Sequence, residues 1–237
     1  MKETQRNTLL KNLANIVSIL GVLPICILFR EHAYQYLIPL IVYNNFMDDL
    51  DGVLAARLNI QSDFGALLDN VCDAIAHTAF VMFVGVHVAQ QSEYSYLGEV
   101  CFATSLLAAV SIIVRTVSRI DPTAVTGRGS PTNELIRHIF FVLLLEQIFL
   151  FDPTPYLIVI FILHAVSMHV PFKMPFLIRS LTKSPVAIGM VNVALLLAWL
   201  WHFAAPIVAA SFFVTYLASF FAGTFRWLRK ADSDGLA

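Results

Sequence analysis

The sequence predicts an all-α protein, a polytopic membrane helix bundle of about eight transmembrane helices that forms one integral membrane domain over residues 1–237. Hydrophobic residues make up 58% of the chain and charged residues only 13%. Such a composition is not typical of soluble globular proteins, and its apolar runs are separated by short polar segments. The net charge of −1 gives no indication of nucleic-acid binding.

The predicted elements follow one another without internal repeats. Residues 1–11 are polar with several basic side chains, and they predict an amphipathic helix on the membrane surface. Apolar runs predict membrane spans at residues 12–29, 35–57, 65–89, 97–117, 134–151, 156–171, 186–203 and 206–225. Prolines and glycines predict loops over residues 115–133 and 171–185. A polar tail is expected to begin at Arg226.

The basic residues predict the orientation of this bundle. With a cytoplasmic N-terminus, eight spans place nearly every lysine and arginine on the cytoplasmic side and only Arg30 on the other. This asymmetry follows the positive-inside rule. We therefore expect a multi-pass protein of a bacterial inner membrane with both termini in the cytoplasm.

Two pairs of aspartates dominate the second and third predicted spans. Asp48 and Asp51 are three residues apart, and Asp69 and Asp73 are four apart, so each pair shares one helix face. The short polar run over residues 57–63 predicts a helical hairpin in which the two pairs face each other. Each carboxylate costs about 2.5–3.5 kcal/mol at the centre of a span, so a hard divalent cation is expected to offset the repulsion. The alternative is that the aspartates cap helix ends and face water.

Two glycines flank the acidic pairs. Gly52 follows Asp51, and Gly65 stands at the start of the third predicted span. A glycine in a helix costs about 1 kcal/mol relative to alanine, so each glycine is expected to have a role that alanine could not fill. It leaves room for a phosphate or nucleoside to approach the backbone. The alternative is close helix packing, together with Ala55 and Ala56.

This stretch resembles the CDP-alcohol phosphatidyltransferase family, whose pattern is D-x2-D-G-x2-A-R-x8-G-x3-D-x3-D. The matching residues of this chain are Asp48, Asp51, Gly52, Ala55, Gly65, Asp69 and Asp73. One position departs, because Ala56 stands where the family has arginine. The neighbouring Arg57 lies about 100° further around the helix. The departure leaves open a catalytically weakened relative that binds nucleotide lipid.

The resemblance implies transfer of a phosphatidyl group from CDP-diacylglycerol to an alcohol, with release of CMP, in phospholipid biosynthesis. It implies a catalytic core of six helices over residues 1–171, with residues 172–237 adding a basic loop, two spans and a tail. It implies Mg²⁺ or Mn²⁺, as two ions, on Asp48, Asp51, Asp69 and Asp73, with Asp73 also the base. The implied nucleotide-binding residues are Asn15, Ser18, Gly52, Ala55 and Gly65.

The acceptor alcohol is less well indicated. The chain is most similar to the phosphatidylserine synthase branch, which implies serine, with inositol phosphate and glycerol phosphate as rivals. Arginines that could bind the acceptor or a phosphate are Arg57, Arg115, Arg119 and Arg128. The positive-inside rule alone would also explain these arginines. The resemblance further implies a possible homodimer.

Two other classes of protein remain as alternatives. A membrane prenyltransferase also binds diphosphates through aspartate-rich helices, but it requires a second distant aspartate-rich motif, which the sequence lacks after residue 73. A membrane transporter with a cation site would account for the acidic pairs without catalysis. Recognition of cytidine would separate the transporter from a relative of the transferases.

Overall fold

The computed structural model describes residues 12–92, 95–120, 129–177 and 185–233. Within these ranges the chain forms α-helices and short 3₁₀ helices, with no strand. The α-helices are α1 (Leu13–Val22), α2 (Leu37–Arg57), α3 (Asp63–Gln91), α4 (Ser95–Ile120), α5 (Thr132–Phe149), α6 (Thr154–His169), α7 (Pro185–Leu200) and α8 (Ala205–Ser233). The predicted all-α fold is confirmed. The predicted surface helix over residues 1–11 lies outside the described residues.

Several of the described helices are apolar, and some are long enough to span a membrane. Among the described residues, three helical segments are long and apolar enough to cross a membrane: Asp63–Gln91, Tyr96–Ile120 and Ala205–Lys230. Shorter apolar helices are Leu13–Phe29, Thr154–His169 and Ile188–Leu200. Large apolar side chains are exposed on their outer faces, as expected for contact with lipid.

Helix α5 lies at the centre of the bundle. Every residue from Thr132 to Leu144 is buried, and the helix packs against α2, α3, α6 and α8. The same helix carries polar residues near its N-terminus, so it brings them into the interior of the protein.

Two predicted element boundaries were wrong, and one predicted span contains two kinds of helix. The first span is not one α-helix, because α1 ends at Val22 and a 3₁₀ helix continues over Leu23–Phe29. Pro24 lacks the N–H that an α-helix would need there. The predicted loop over residues 115–133 is shorter, since α4 extends to Ile120. The polar tail expected from Arg226 is helical to Ser233. Arginine and lysine favour helices, so loss of hydropathy does not end α4 or α8.

The end of α2 is well defined. Asn59 has a left-handed backbone with φ of 52°. Its N–H donates to the Ala56 carbonyl at 3.3 Å, and the Ile60 N–H donates to the Ala55 carbonyl at 3.0 Å. This pair of bonds is a Schellman motif. Helix α2 therefore remains intact through Arg57, and the chain then reverses into α3.

Helix α3 begins with a side-chain cap. The Ser62 hydroxyl oxygen accepts a hydrogen bond from the Gly65 N–H at 3.0 Å. Serine is a preferred residue at this position because its oxygen satisfies one of the unpaired N–H groups of the first turn. The C-terminal half of α2 and the N-terminal half of α3 thus form the predicted hairpin.

Candidate active site

Three of the four predicted metal ligands come together between α2 and α3. One carboxylate oxygen each of Asp48, Asp51 and Asp69 lies within 4.8 Å of the others. Asp48 and Asp51 are only 7% and 5% exposed, and Asp69 is half-buried. Three carboxylates this close repel one another strongly unless a cation lies between them.

The surroundings of the two α2 carboxylates fit a divalent ion. The Ser18 hydroxyl of α1 donates to Asp51 Oδ2, and the Asn133 amide of α5 donates to Asp48 Oδ2 at 2.6 Å. Both donors orient a carboxylate oxygen without adding positive charge. Hard oxygen ligands of this kind suit Mg²⁺ and Mn²⁺. The residues present therefore match the chemistry of the predicted cofactor.

Asp73 lies one helical turn after Asp69 on α3 and is half-buried. Its carboxylate is not part of the group whose oxygens lie within 4.8 Å of one another. Residues four apart on a helix share a face, so Asp73 extends the acidic surface along α3. The position is compatible with contact to a substrate held beside the three other aspartates.

A cavity of about 460 Å³ adjoins the carboxylates, between α1, α2 and the start of α3. Its volume is in the range of small-molecule sites. Asp51 and Asp69 line it. So do all five residues predicted to bind nucleotide, which are Asn15, Ser18, Gly52, Ala55 and Gly65. The N-terminus of α3 is also part of the wall, and helix N-termini favour anions.

The space around Gly65 differs from the space around Gly52. A Cβ added at Gly65 would lie 3.0 Å from Asn15 Oδ1 and 3.1 Å from Ser62 Oγ. A larger residue at this position would therefore require Asn15 or Ser62 to shift by a few tenths of an ångström. A Cβ added at Gly52 would meet nothing within 4 Å. Helix packing does not explain Gly52, which borders open space in the cavity.

Two of the predicted anion-binding arginines lie in the last turn of a helix. Arg57 is exposed on the last turn of α2. Arg119 on α4 donates from Nη1 to Asn70 Oδ1 at 3.1 Å, and Asn70 follows Asp69 on α3. Arg128 lies outside the described residues.

Arg115 makes two hydrogen bonds to backbone carbonyls. Its Nη1 donates to the Met168 carbonyl at 2.8 Å, and its Nη2 donates to the Gly129 carbonyl at 3.2 Å. The guanidinium thus joins α4 to the end of α6 and to the segment before α5. These bonds give the half-buried guanidinium a role in holding the fold.

No sequence pattern indicated Asn133 as a site residue. It stands near the start of α5, far along the chain from Asp48, and a single asparagine in a span has no distinctive pattern. His77 lies one turn after Asp73 on α3. Its Nδ1 lies 2.8 Å from the Thr132 hydroxyl. The N-terminus of α5 therefore contacts both helices that carry the aspartates.

The part of the chain that contains this site is similar to known proteins. A family model described as CDP-alcohol phosphatidyltransferase matches residues 10–171, which include α1 to α6 and every aspartate named above. An uncharacterized protein of Aquifex aeolicus (strain VF5) is 34% identical over 92 residues, or 38% of this chain. The match spans 44% of the length of that relative.

Proposed function

The chain belongs to the CDP-alcohol phosphatidyltransferase family, and we propose that it transfers the phosphatidyl group of CDP-diacylglycerol to a small alcohol, serine, and releases CMP. Members of the family are phosphotransferases that move a phosphatidyl group from a CDP-alcohol to an acceptor. The observation that carries the proposal is the position of Asp51 and Asp69 in the wall of a cavity of about 460 Å³.

The proposed reaction is an in-line displacement at the phosphorus that bears the lipid. The acceptor oxygen bonds to this phosphorus while the bond to the bridging oxygen breaks, and CMP leaves with that oxygen. The acceptor proton passes to the Asp73 carboxylate, the proposed base. Asp73 lies beside the predicted metal ligands, where an acceptor hydroxyl would have to be held for attack.

The residues around the proposed reaction centre would bind the divalent ions and orient the carboxylates that hold them. Asp48, Asp51 and Asp69 would hold divalent ions, which when bound neutralise the diphosphate and stabilise the charge of the transition state. Ser18 and Asn133 orient the α2 carboxylates through the hydrogen bonds already described. Phosphoryl transfer depends mainly on such positioning and charge stabilisation.

The proposed substrates set the orientation in the membrane. CDP and serine are water-soluble groups, so their sites must open to water while the acyl chains remain in lipid. The positive-inside pattern favours the cytoplasmic side for the hairpin between α2 and α3, with both termini on that side. The exposed Arg57 and Arg119 are candidates for contact with the acceptor carboxylate or a phosphate.

The direct test is release of CMP by the protein purified in detergent. The assay supplies CDP-diacylglycerol and Mn²⁺ or Mg²⁺, with serine, inositol phosphate and glycerol phosphate as separate acceptors. We expect release with serine and loss of release with EDTA. No release with any acceptor would contradict the transferase proposal, and activity in EDTA would contradict the metal proposal.

Ala56 provides a second comparison. This residue is exposed on α2, so arginine can be accommodated there without repacking the core. The variant Ala56→Arg restores the arginine of the family pattern, and its CMP release measures what the departure costs. Cytidine-nucleotide binding with no turnover in either protein would indicate a weakened relative. A transporter would have no reason to bind cytidine.

A further inference from the structure

Helix α7 contacts the metal-binding helix α2 through a half-buried asparagine, Asn192. Asn192 Nδ2 donates to Asp49 Oδ2 at 2.7 Å, and its Oδ1 accepts from Asn45 Nδ2 at 2.9 Å. Asp49 lies next to Asp48 but on a different face of α2, because adjacent helical residues are about 100° apart. Helix α7 lies beyond the family match, which ends at residue 171.

The contact is part of a buried polar network that also includes α5. Arg137 Nε donates to Asn45 Oδ1 at 3.0 Å, and Arg137 Nη1 pairs with Glu134 Oε1 at 3.1 Å. Asn45, Glu134 and Arg137 are each at most 5% exposed. Side chains joined in this way inside a bundle have little freedom, since each hydrogen bond restricts the next.

Three neighbouring helices thus bind α2 at three nearby acidic residues. Helix α1 contacts Asp51 through Ser18, α5 contacts Asp48 through Asn133, and α7 contacts Asp49 through Asn192. The contacts at Asp48 and Asp51 lie on one face of α2, and the contact at Asp49 lies about 100° from Asp48 around the helix. Together they restrict rotation of α2 about its axis, and that rotation sets the distance of the α2 carboxylates from Asp69 on α3.

We propose that Asn192 is a positioning residue for metal binding: it holds Asp49, restricts the rotation of α2, and so keeps Asp48 and Asp51 at the spacing that a divalent ion requires. The proposal rests on the proposed function for the identity of the ion. In this proposal α7, which lies outside the matched family region, helps to hold the metal site in place.

The test measures Mn²⁺ binding directly, by electron paramagnetic resonance of free Mn²⁺ during titration of the purified full-length protein in detergent. Asn192→Ala and the nearly isosteric Asn192→Leu both remove the amide. We expect each to weaken Mn²⁺ binding about tenfold, the low end for loss of a group that supports metal ligands. Asn192→Gln retains the amide and should recover part of the affinity.

A matched control distinguishes loss of the Asn192 contact from general destabilisation of helices α7 and α8. Ser219 on α8 is fully buried and accepts a hydrogen bond from the Phe176 N–H at 3.0 Å. Ser219→Ala removes a buried polar contact without touching α2, so its Mn²⁺ affinity should equal that of the wild type. The CMP assay adds a second readout, in which Asn192→Ala requires more Mn²⁺ but keeps its kcat at saturating Mn²⁺.

Each outcome decides a separate point. Wild-type Mn²⁺ affinity in both Asn192→Ala and Asn192→Leu overturns the proposal, as does an equal loss in Ser219→Ala. A wild-type protein that binds Mn²⁺ but releases no CMP contradicts the proposed function alone, and the Asn192 comparison still stands. A wild-type protein that binds no Mn²⁺ overturns the positioning proposal and the proposal of Mn²⁺ as the cofactor, and CMP release remains the separate test of the transferase proposal.

Discussion

Replacing Gly52 by alanine should stabilise the protein and weaken its binding of the CDP-linked substrate. Gly52 lies within α2, and a Cβ added there meets nothing within 4 Å. Alanine is favoured over glycine in a helix by about 1 kcal/mol. For a chain of this size, that gain raises the thermal midpoint by about 2–4 °C. The methyl group would occupy the cavity of about 460 Å³ in which we place the nucleotide.

The size of the effect on binding follows from overpacking. An extra methyl group in a filled site costs about 1–3 kcal/mol, which corresponds to an increase of about 5–150-fold in KM for CDP-diacylglycerol. The assay is initial-rate CMP release over a range of lipid concentrations in mixed micelles, with the thermal midpoint measured in the same detergent. Stability and affinity are expected to change in opposite directions.

Gly189→Ala is the matched control for this variant. Gly189 is also helical and exposed, and a Cβ added there also meets nothing within 4 Å. It is not among the residues that line the cavity. This variant should gain similar stability and keep its KM. An unchanged KM in Gly52→Ala, with the stability gain present, would refute the placement of the nucleotide beside Gly52.

Three further changes have outcomes that follow from the structure. Asp69→Asn removes one charge from a half-buried ligand, so Mn²⁺ binding and CMP release should be lost while the purified protein still elutes as a folded species. Gly129→Ala would place a Cβ 1.7 Å from the Ser167 carbonyl oxygen, so we expect destabilisation of at least about 1–3 kcal/mol, seen as a lower thermal midpoint. Arg57→Ala removes an exposed cation, and it should raise KM for CDP-diacylglycerol about fivefold, or about 1 kcal/mol, without changing the thermal midpoint.

The carboxylate group was predictable because it depends on local geometry. The rise and turn of a helix alone place Asp48 and Asp51 on one face, and the same holds for Asp69 and Asp73. A polar run this short keeps two consecutive helices adjacent, so they fold back on each other as a hairpin. The cluster of Asp48, Asp51 and Asp69 confirms that part of the hairpin prediction, whereas the role of Asp73 stays a prediction.

The ends of several helices were not predictable from hydropathy. Hydropathy reports where a segment contacts lipid, whereas a helix ends where its backbone hydrogen bonds end. The polar C-terminal segment of α8 continues as a helix, with the Arg226 guanidinium 5.7 Å from the centre of the Phe176 ring. In contrast, α2 ends at Arg57, where the predicted span over residues 35–57 also ends, and the backbone bonds at Asn59 and Ile60 close it.

By itself, the sequence determined the all-α class, the family and the residues of the acidic hairpin, because composition and spacing within one helix do not depend on the rest of the chain. Only the tertiary structure decided which side chains support those acids. Asn133 is 85 residues from Asp48, and Asn192 is 143 residues from Asp49. Contacts at such separation depend on how helices pack and rotate against one another, and no periodicity in the sequence records that packing.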